Sequence, residues 1–262
     1  SVIPSEWVND FNFKLQGISV MSFQVKKILI DNGVKVPITV AGLGLDHLNN
    51  IEPSYSFHLK AKKFKFLHIS SCFPRKAVDV LLKSFEESFD DKDDVSLIIK
   101  TFDNPHNNLL QILDESKKRN SKFPDVVVIK EDLNDSEMKA LYLQCNALVS
   151  PSRGEGFGLP IGEAMQLGIP VIVTAWGGHM DFCNIDNSWL IDFDFQNSDT
   201  HFNLDLSYWA EPSYIHLSKL MKNIFYSSVS ELSQKTSLAK KDISCFTWDQ
   251  VAMRNLDFSK YL

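Results

Sequence analysis

Short apolar strands alternate with amphipathic helices from residue 64 onward, and this alternation predicts an α/β fold with a doubly wound parallel sheet, Rossmann-like in its layout. The predicted strands are almost continuously apolar, which is typical of strands covered by helices on both faces. A glycine-rich turn at residues 154–158 follows one of these strands and leads into a helix. Such turns lie at the carboxyl edge of the sheet, where open α/β folds bind their ligands.

Hydrophobic periodicity places the elements in order. Val78, Leu81 and Phe85 recur at helical spacing, and Asn134 with Glu137 matches a capping box before the helix that runs through residue 143. The predicted strands are 65–70, 96–101, 126–130, 147–150, 171–174 and 189–193, and the other predicted helices are 76–89, 106–118 and 161–167.

The flanks of the chain differ from this regular series. Residues 1–51 predict a short strand, a helix ending near residue 33 and a strand at 37–41, whereas residues 246–262 predict one amphipathic helix capped by Thr247. We therefore divide the chain into residues 1–51, a Rossmann-like core at 52–242 and a terminal segment at 243–262. Because the chain begins with Ser and its opening reads like the middle of a fold, we expect it to be a piece of a longer protein.

Composition excludes several classes of protein. The net charge of −6 argues against a nucleic-acid binder, which usually carries a basic face. No run of apolar residues is long enough to cross a membrane. The four cysteines are scattered, without C-x-x-C pairs or zinc spacing, which predicts a reducing compartment and no metal site. We expect a cytoplasmic protein, with peripheral contact to a membrane as an open alternative.

The stretch PSRGEGFGLPIGE at residues 151–163 carries the chemistry. Its glycines allow close approach of the backbone to a ligand, and the free N–H groups at the start of the following helix favour an anion such as phosphate. Glu155 lies on the loop, and Glu163 lies about one turn into the helix, where it can accept hydrogen bonds from a diol such as ribose. Amides that bind phosphate beside carboxylates that bind hydroxyls suit a nucleotide sugar.

This stretch resembles the signature of the family-4-like retaining glycosyltransferases of GT-B fold (glycosyl transferases group 1). Further segments resemble that family in the same order, namely FLHISSCFPRKAVDVLL from residue 66 and PVIVTAWGGHMD from residue 170. The resemblance implies that the core is the C-terminal, donor-binding domain of such an enzyme. Residues 1–51 would then be the end of the acceptor domain with the interdomain crossover, and the terminal helix would cross back to that acceptor domain.

Carried over by residue, the resemblance implies catalytic roles for Glu155, facing the donor sugar, and for Lys76, facing the diphosphate. It implies that Glu163 binds the ribose. The backbone amides implied to meet the phosphates and the sugar are those of Gly156, Phe157, Gly158 and Leu159.

One position departs from the family pattern. Ser71 stands where the family usually has an Arg five residues before Lys76. We expect Arg75 to supply the second cation in the substrate site. If it does not, stabilisation of the leaving group is weakened.

Other residues have less specific interpretations. The glycine loop only loosely imitates a dinucleotide fingerprint, because it comes late in the domain. Asp192 and Asp194 imitate a metal-binding D-x-D motif, but they fit the polar face of a strand. We expect His68 to be a strand histidine and His179 a turn residue rather than catalytic bases, with an approach of His179 to the donor as an open alternative. We expect Trp176 to be the better tryptophan for lining the pocket.

The sequence therefore predicts a retaining, metal-independent transfer of sugar from a nucleoside-diphosphate sugar to a glycan or lipid-linked acceptor, in surface polysaccharide assembly. The acceptor would bind through the absent N-terminal domain, so we expect this piece alone to turn over poorly. No cofactor or metal is expected beyond the donor substrate. The alternatives are a nucleotide-binding module without transfer activity and a sugar-nucleotide epimerase of related fold.

Overall fold

A computed structural model describes residues 1–198 and 207–262, and it arranges them as a large α/β unit with a small N-terminal layer. The strands are β1 (Ile18–Val20), β2 (Ile38–Val40), β3 (Phe64–Ile69), β4 (Val95–Lys100), β5 (Asp125–Ile129), β6 (Ala147–Ser150), β7 (Val171–Thr174), β8 (Trp189–Ile191), β9 (Phe193–Asn197) and β10 (Tyr208–Pro212). The helices are α1 (Ser5–Lys14), α2 (Phe23–Asp31), α3 (Val78–Ser88), α4 (Leu109–Arg119), α5 (Asp135–Leu143), α6 (Leu159–Gln166), α7 (Tyr214–Tyr226), α8 (Val229–Ile243) and α9 (Trp248–Tyr261).

The main sheet has all of its strands parallel, in the order β5-β4-β3-β6-β7-β8. The chain first winds outward from β3 to β5 and then returns to β6, which pairs with the opposite edge of β3. This confirms the predicted doubly wound α/β fold. The carboxyl ends of β3 and β6 flank the point where the winding direction changes, which is where open α/β sheets form their ligand crevice.

Side chains on the sheet alternate between two hydrophobic cores, as the two-residue period of a strand requires. Phe66 and Leu97 pack into one core with α3, α4 and α7. Leu67 and Ile98, one residue further along their strands, pack into the other core with α5, α6 and α8. All four side chains are fully buried. This explains the continuously apolar strands in the sequence, because both faces of the sheet are covered.

The N-terminal layer is built from the parallel pair β1 and β2, joined by α2. Its own small core contains Val20, Leu29 and Val34. Hydrogen bonds tie this layer to the rest of the chain. The Phe23 N–H donates to Asp181 Oδ2 at 2.9 Å, and Arg254 Nη1 on α9 donates to the carbonyl of Ala41 at 3.0 Å. The predicted division of the chain at residues 51 and 242 is not tested by these contacts and stays a prediction.

Several local predictions are confirmed. Asn134 and Glu137 form the reciprocal capping box at the start of α5. Thr247 caps α9 by accepting a hydrogen bond from the Gln250 N–H. The predicted strands at 147–150 and 171–174 coincide with β6 and β7. In the part of the chain that the structure describes, no helix is both long enough and apolar enough to span a bilayer.

Other boundaries were predicted wrongly. Helix α1 was not predicted, and it buries no side chain completely, so its sequence carries little periodic signal. The strand predicted at 189–193 is interrupted at Asp192, because β8 ends its pairing with β7 at Ile191 and β9 turns away to pair antiparallel with β10. The helix predicted from residue 76 begins two residues later, after a 3₁₀ turn at Pro74–Lys76.

Candidate active site

Two connections meet at the carboxyl edge of the sheet. The turn at residues 70–77 follows β3, and the loop at residues 151–158 follows β6. The Arg153 N–H donates to the carbonyl of Arg75 at 2.7 Å, which joins them directly. The β3 turn holds Cys72 and Ala77 with φ of 53° and 52°, a left-handed conformation that costs energy in residues other than glycine. Such strain is concentrated at functional sites.

A third connection, the Gly177–Gly178 turn after β7, packs against the same loop. The Gly178 N–H donates to the carbonyl of Glu155 at 2.7 Å. A Cβ at position 178 would lie 1.9 Å from the carbonyl oxygen of Gly156, so only glycine permits this approach. Gly158 has φ of 95° and turns the chain into α6.

The loop leaves donors unused at the start of α6. Among the described residues, no acceptor takes a hydrogen bond from the N–H groups of Phe157, Gly158 or Leu159. The Gly156 N–H lies 3.1 Å from Oε1 of Glu155. The Phe157 ring is buried against Phe182, so only the backbone of Phe157 is available for contact with a ligand. Free amides at a helix N-terminus form an anion-binding site.

Lys76 and Glu155 form an ion pair between the β3 turn and the β6 loop. Both side chains are largely buried, with 13% and 12% exposed. Burial lowers the pKa of Lys76. Burial would raise the pKa of Glu155, but the adjacent Lys76 ammonium holds that pKa below its ordinary value. The carboxylate is therefore ionised at neutral pH and can accept hydrogen bonds.

Arg75 lies beside this pair and is exposed. Its Nη1 donates to the carbonyl of Gly154 at 3.0 Å. Arg75 and the glycine loop form one wall of a cleft of about 630 Å³, and residues of the N-terminal layer form the other wall. The residues of that second wall include Met21, Gln24, Val25, Ile28 and Leu43. Ser71 stands in the same turn, where its carbonyl accepts from Asn104 Nδ2.

Glu163 is held apart from this cleft. Tyr142 Oη donates to Glu163 Oε2 at 2.5 Å, and His47 Nε2 lies 3.1 Å from Oε1. Only 13% of the Glu163 side chain is exposed. Of the residues predicted for the site, the structure thus brings Lys76, Arg75, Glu155 and the loop amides together, and it places Glu163 one helical turn away.

The sequence analysis did not identify Arg153, which is 7% exposed and organises the whole edge. Its guanidinium binds Asp79 bidentately at 2.7 and 2.9 Å and Glu211 bidentately at 2.6 and 2.7 Å. It also donates to the carbonyl of Pro74 at 2.6 Å and stacks on Trp209. The available signal was a cation directly after the apolar strand at 147–150, since a cation that is withdrawn from water requires carboxylate partners.

The two histidines near the site are buried. His68 Nδ1 contacts the Val149 carbonyl and Nε2 contacts Ser70 Oγ, both at 2.8 Å. Burial lowers the pKa of His68 to about 4. His179 Nε2 contacts the Thr174 carbonyl at 2.7 Å, and burial lowers the pKa of His179 also. Both rings are therefore neutral at pH 7.

Solved structures of glycosyltransferases share this fold. HepE from Anabaena, in complex with UDP and glucose, superposes with a TM-score of 0.76 over 99% of this chain and 67% of its own, at 18% identity. Sucrose-phosphate synthase from Thermosynechococcus elongatus superposes with a TM-score of 0.76 over 97% of this chain and 60% of its own, at 15% identity. The architecture is thus that of the GT-B glycosyltransferases.

The family is established by sequence. The model of the glycosyl transferases group 1 family matches residues 53–199, which is more than half of the chain, and the chain belongs to that family. The O-antigen chain mannosyltransferase RfbU of Salmonella typhimurium is 29% identical over 126 residues. That alignment covers 48% of this chain and 34% of RfbU, so the chain spans about a third of this relative.

We predict that Arg153→Met destabilises the fold and Arg119→Met does not. Loss of Arg153 leaves two carboxylates unpaired, and it should lower the free energy of unfolding by about 3 kcal/mol, since Asp79 stays half exposed. Arg119 is exposed, and its partner Glu86 also accepts a hydrogen bond from Asn120 Nδ2, so the loss of Arg119 should cost about 1 kcal/mol or less. Urea unfolding of both variants measures the difference, and equal losses would contradict the role given to Arg153.

We predict that Gly178→Ala lowers stability while Gly154→Ala does not. The new Cβ at 178 would overlap the backbone of Gly156, and overpacking of this kind typically costs about 1–3 kcal/mol. A Cβ at 154 would meet nothing within 4 Å. Thermal unfolding of the two variants provides the comparison. Equal melting temperatures would show that the loops do not pack as described.

Proposed function

We propose that this chain binds the donor of a retaining, metal-independent glycosyl transfer from a nucleoside-diphosphate sugar to a glycan or lipid-linked acceptor. The observation that carries the proposal is the convergence of free amides, Lys76, Arg75 and Glu155 at the point where the sheet reverses its winding. Amides and cations suit a diphosphate, and the carboxylate suits the hydroxyls of the transferred sugar.

Catalysis would then be electrostatic. As the glycosidic bond to the donor breaks, negative charge develops on the leaving nucleoside diphosphate. Lys76 and the N-terminus of α6 are already fixed beside that charge, so little reorganisation is needed when it forms. Among the described residues, no group of three or more His, Cys, Asp or Glu is arranged to hold a metal ion. We predict that donor binding does not require a metal ion.

Arg75 is our candidate for the second cation of the diphosphate site. It lies on the same turn as Ser71, at the edge of the cleft, and its guanidinium is anchored to the loop through the Gly154 carbonyl. Guanidinium groups bind phosphate bidentately, so Arg75 is chemically suited to replace an arginine at position 71.

The donor sugar is proposed to be a hexose. RfbU is named a mannosyltransferase, and the HepE structure contains UDP and glucose. The sugar in the RfbU name differs from the sugar in the HepE complex, so both GDP and UDP are used as first probes. The acceptor, a glycan or lipid-linked glycan, is proposed by analogy with the O-antigen role in the RfbU name.

A cytoplasmic location accompanies this proposal. The four cysteines are free, and Cys72, Cys145 and Cys183 are buried, which fits a reducing compartment.

A nucleotide-binding module without transfer activity is the second candidate. It is favoured by Ser71 in place of the arginine, and by the pairing of Lys76 with Glu155, which leaves neither charge free in this structure. Such a module would bind the nucleotide and yet leave the donor intact.

We predict that GDP or UDP at a hundred times its dissociation constant stabilises this chain by about 2.7 kcal/mol, with or without Mg²⁺. Thermal unfolding measures the shift. Lys76→Met should abolish most of it, and Lys60→Met, at an exposed lysine, should retain it. A shift that requires Mg²⁺ would contradict metal independence. A shift that survives in Lys76→Met would remove Lys76 from the diphosphate site.

We predict that sugar transfer by the full-length protein that contains this chain retains the anomeric configuration of the donor. NMR of the product from a hexose donor identifies the configuration. Lys76→Met should slow transfer about a hundredfold, the loss typical of one donor to a developing charge. An inverted product would contradict retention, and nucleotide binding without transfer or donor hydrolysis would favour the inactive module.

A further inference from the structure

The strongest unassigned feature of the molecule is the environment of the Glu163 carboxylate. Glu163 projects from α6 and receives one contact on each oxygen, from Tyr142 on Oε2 and from His47 on Oε1. Tyr142 is fully buried, and burial raises its pKa well above the ordinary value, so its hydroxyl remains a proton donor. His47 is the partly exposed partner, with 34% of its side chain accessible.

The turn that carries His47 is anchored by its neighbours. It is the 3₁₀ turn Asp46–Leu48, between the N-terminal layer and the main sheet. Leu45, just before the turn, is fully buried against Gly162, and its N–H donates to the carbonyl of Phe246 at 2.8 Å. Asp46 Oδ1 accepts from the Trp248 N–H at 2.9 Å. The Leu48 carbonyl, just after His47, accepts from Lys139 Nζ at 2.8 Å, so the turn is anchored on both sides of the imidazole that contacts Glu163.

A carboxylate offers about four acceptor positions, two on each oxygen. Tyr142 and His47 each occupy one position, on different oxygens, which leaves one position on Oε2 and one on Oε1. Two adjacent acceptors match the two hydroxyls of a vicinal diol. A carboxylate held at both oxygens also loses little rotamer freedom when it binds such a diol.

We propose that His47 is a positioning residue that holds Glu163 for the ribose diol of the donor and adds a positive charge to the nucleotide site when it is protonated. The proposal rests on the proposed function, because it takes Glu163 as the ribose ligand. It extends that function because His47 lies in residues 1–51, before the Rossmann-like core. His47 would affect both the affinity for the donor and the pH dependence of that affinity.

The charges around His47 favour its protonated form. Glu163 on α6 provides the principal contact, and Asp46 on its own turn and Asp135 on α5 contribute at longer range. Lys139 on α5 is the nearby cation, and its Nζ is bound to the carbonyls of Leu48 and Ile51. The hydrogen bond to Glu163 raises the pKa of His47 above 6.5, and the partial burial of the ring opposes this only in part.

The sign of the pH effect follows from linkage. Because the folded-state pKa is raised, the imidazolium is fully present below about pH 6.5 and is lost as the pH rises through the folded-state value. The donor diphosphate is an anion, so its affinity should increase as His47 gains a proton. We expect the nucleotide to bind roughly threefold to tenfold more tightly near pH 6.5 than near pH 8.5, the difference expected between a charge-assisted and a neutral contact.

The test uses calorimetric titration of this chain with GDP and UDP and with their 2′,3′-dideoxy analogues. The unsubstituted chain should prefer the ribonucleotide by about tenfold or more. His47→Leu removes the contact and should lose most of that preference. His47→Gln places an amide N–H near the position of Nε2, so it should keep the preference at pH 8.5 and lose the pH effect. His58→Gln, at an exposed histidine, is the matched control for the titration of the nucleotide itself.

The outcomes separate this proposal from the proposed function. If Glu163→Gln loses the ribose preference and His47→Leu keeps it, the ribose site stands and His47 has no part in it. If His47→Gln retains the same pH effect as the His58→Gln control, the charge of His47 does not act on the ligand. If the unsubstituted chain binds no nucleotide, or does not distinguish the dideoxy analogues, both the ribose assignment and the role of His47 are overturned.

Discussion

The buried guanidinium of Arg153 is the interaction on which the arrangement of the site depends. It joins three parts of the chain that are far apart in sequence, namely the turn after β3, the loop after β6 and the β9–β10 hairpin. Bidentate bonds to Asp79 and Glu211 balance its charge, and without them its burial would be prohibitive. Its contribution is geometric as well as energetic, because it joins the turn that carries Lys76 to the glycine loop.

The Lys76–Glu155 pair lies next to this framework and has a different character. Its two charges come from the two loops that Arg153 joins, and both side chains are mostly withdrawn from water. Each charge of the pair compensates the other. A bound donor would offer phosphate oxygens to the ammonium and hydroxyls to the carboxylate, so the pair can be exchanged for ligand contacts without leaving an uncompensated charge. The two charged groups are therefore polar and mostly buried at the same time, which strengthens electrostatic interactions with them.

The fold was predictable from the sequence because its main signals are local. Strands such as β6 and β7 are apolar over their whole length, and the capping box of Asn134 and Glu137 marks the start of α5 without reference to any other segment. The glycine loop was equally visible, since its glycines and Glu155 lie within a few residues of one another. The spacing of Glu155 and Glu163 indicated a ligand site for the same reason.

Features that depend on long-range contacts were not predictable. Asp79 and Glu211, the partners of Arg153, lie 74 and 58 residues away, and no pattern near residue 153 identifies them. The contact of His47 with Glu163 joins segments more than a hundred residues apart and requires the crossover turn to dock on α6. The interruption of the strand at Asp192 was likewise invisible, because it depends on the pairing of β9 with β10. Helix α1 escaped prediction because it buries too little surface to need an apolar face.

The strand order has a consequence for how the chain acquires its binding site. β3 and β6 are neighbours in the sheet, yet the whole excursion through β4, α4 and β5 separates them along the chain. Closing so long a connection is entropically costly, and parallel pairing of this kind gives a high contact order and slow folding. The crevice therefore cannot exist in a partly folded chain that has formed only one half of the sheet. Newly synthesised molecules would become able to bind a ligand only late in folding, when the two halves of the sheet have docked. A ligand present at that stage would stabilise the docked state and favour its formation.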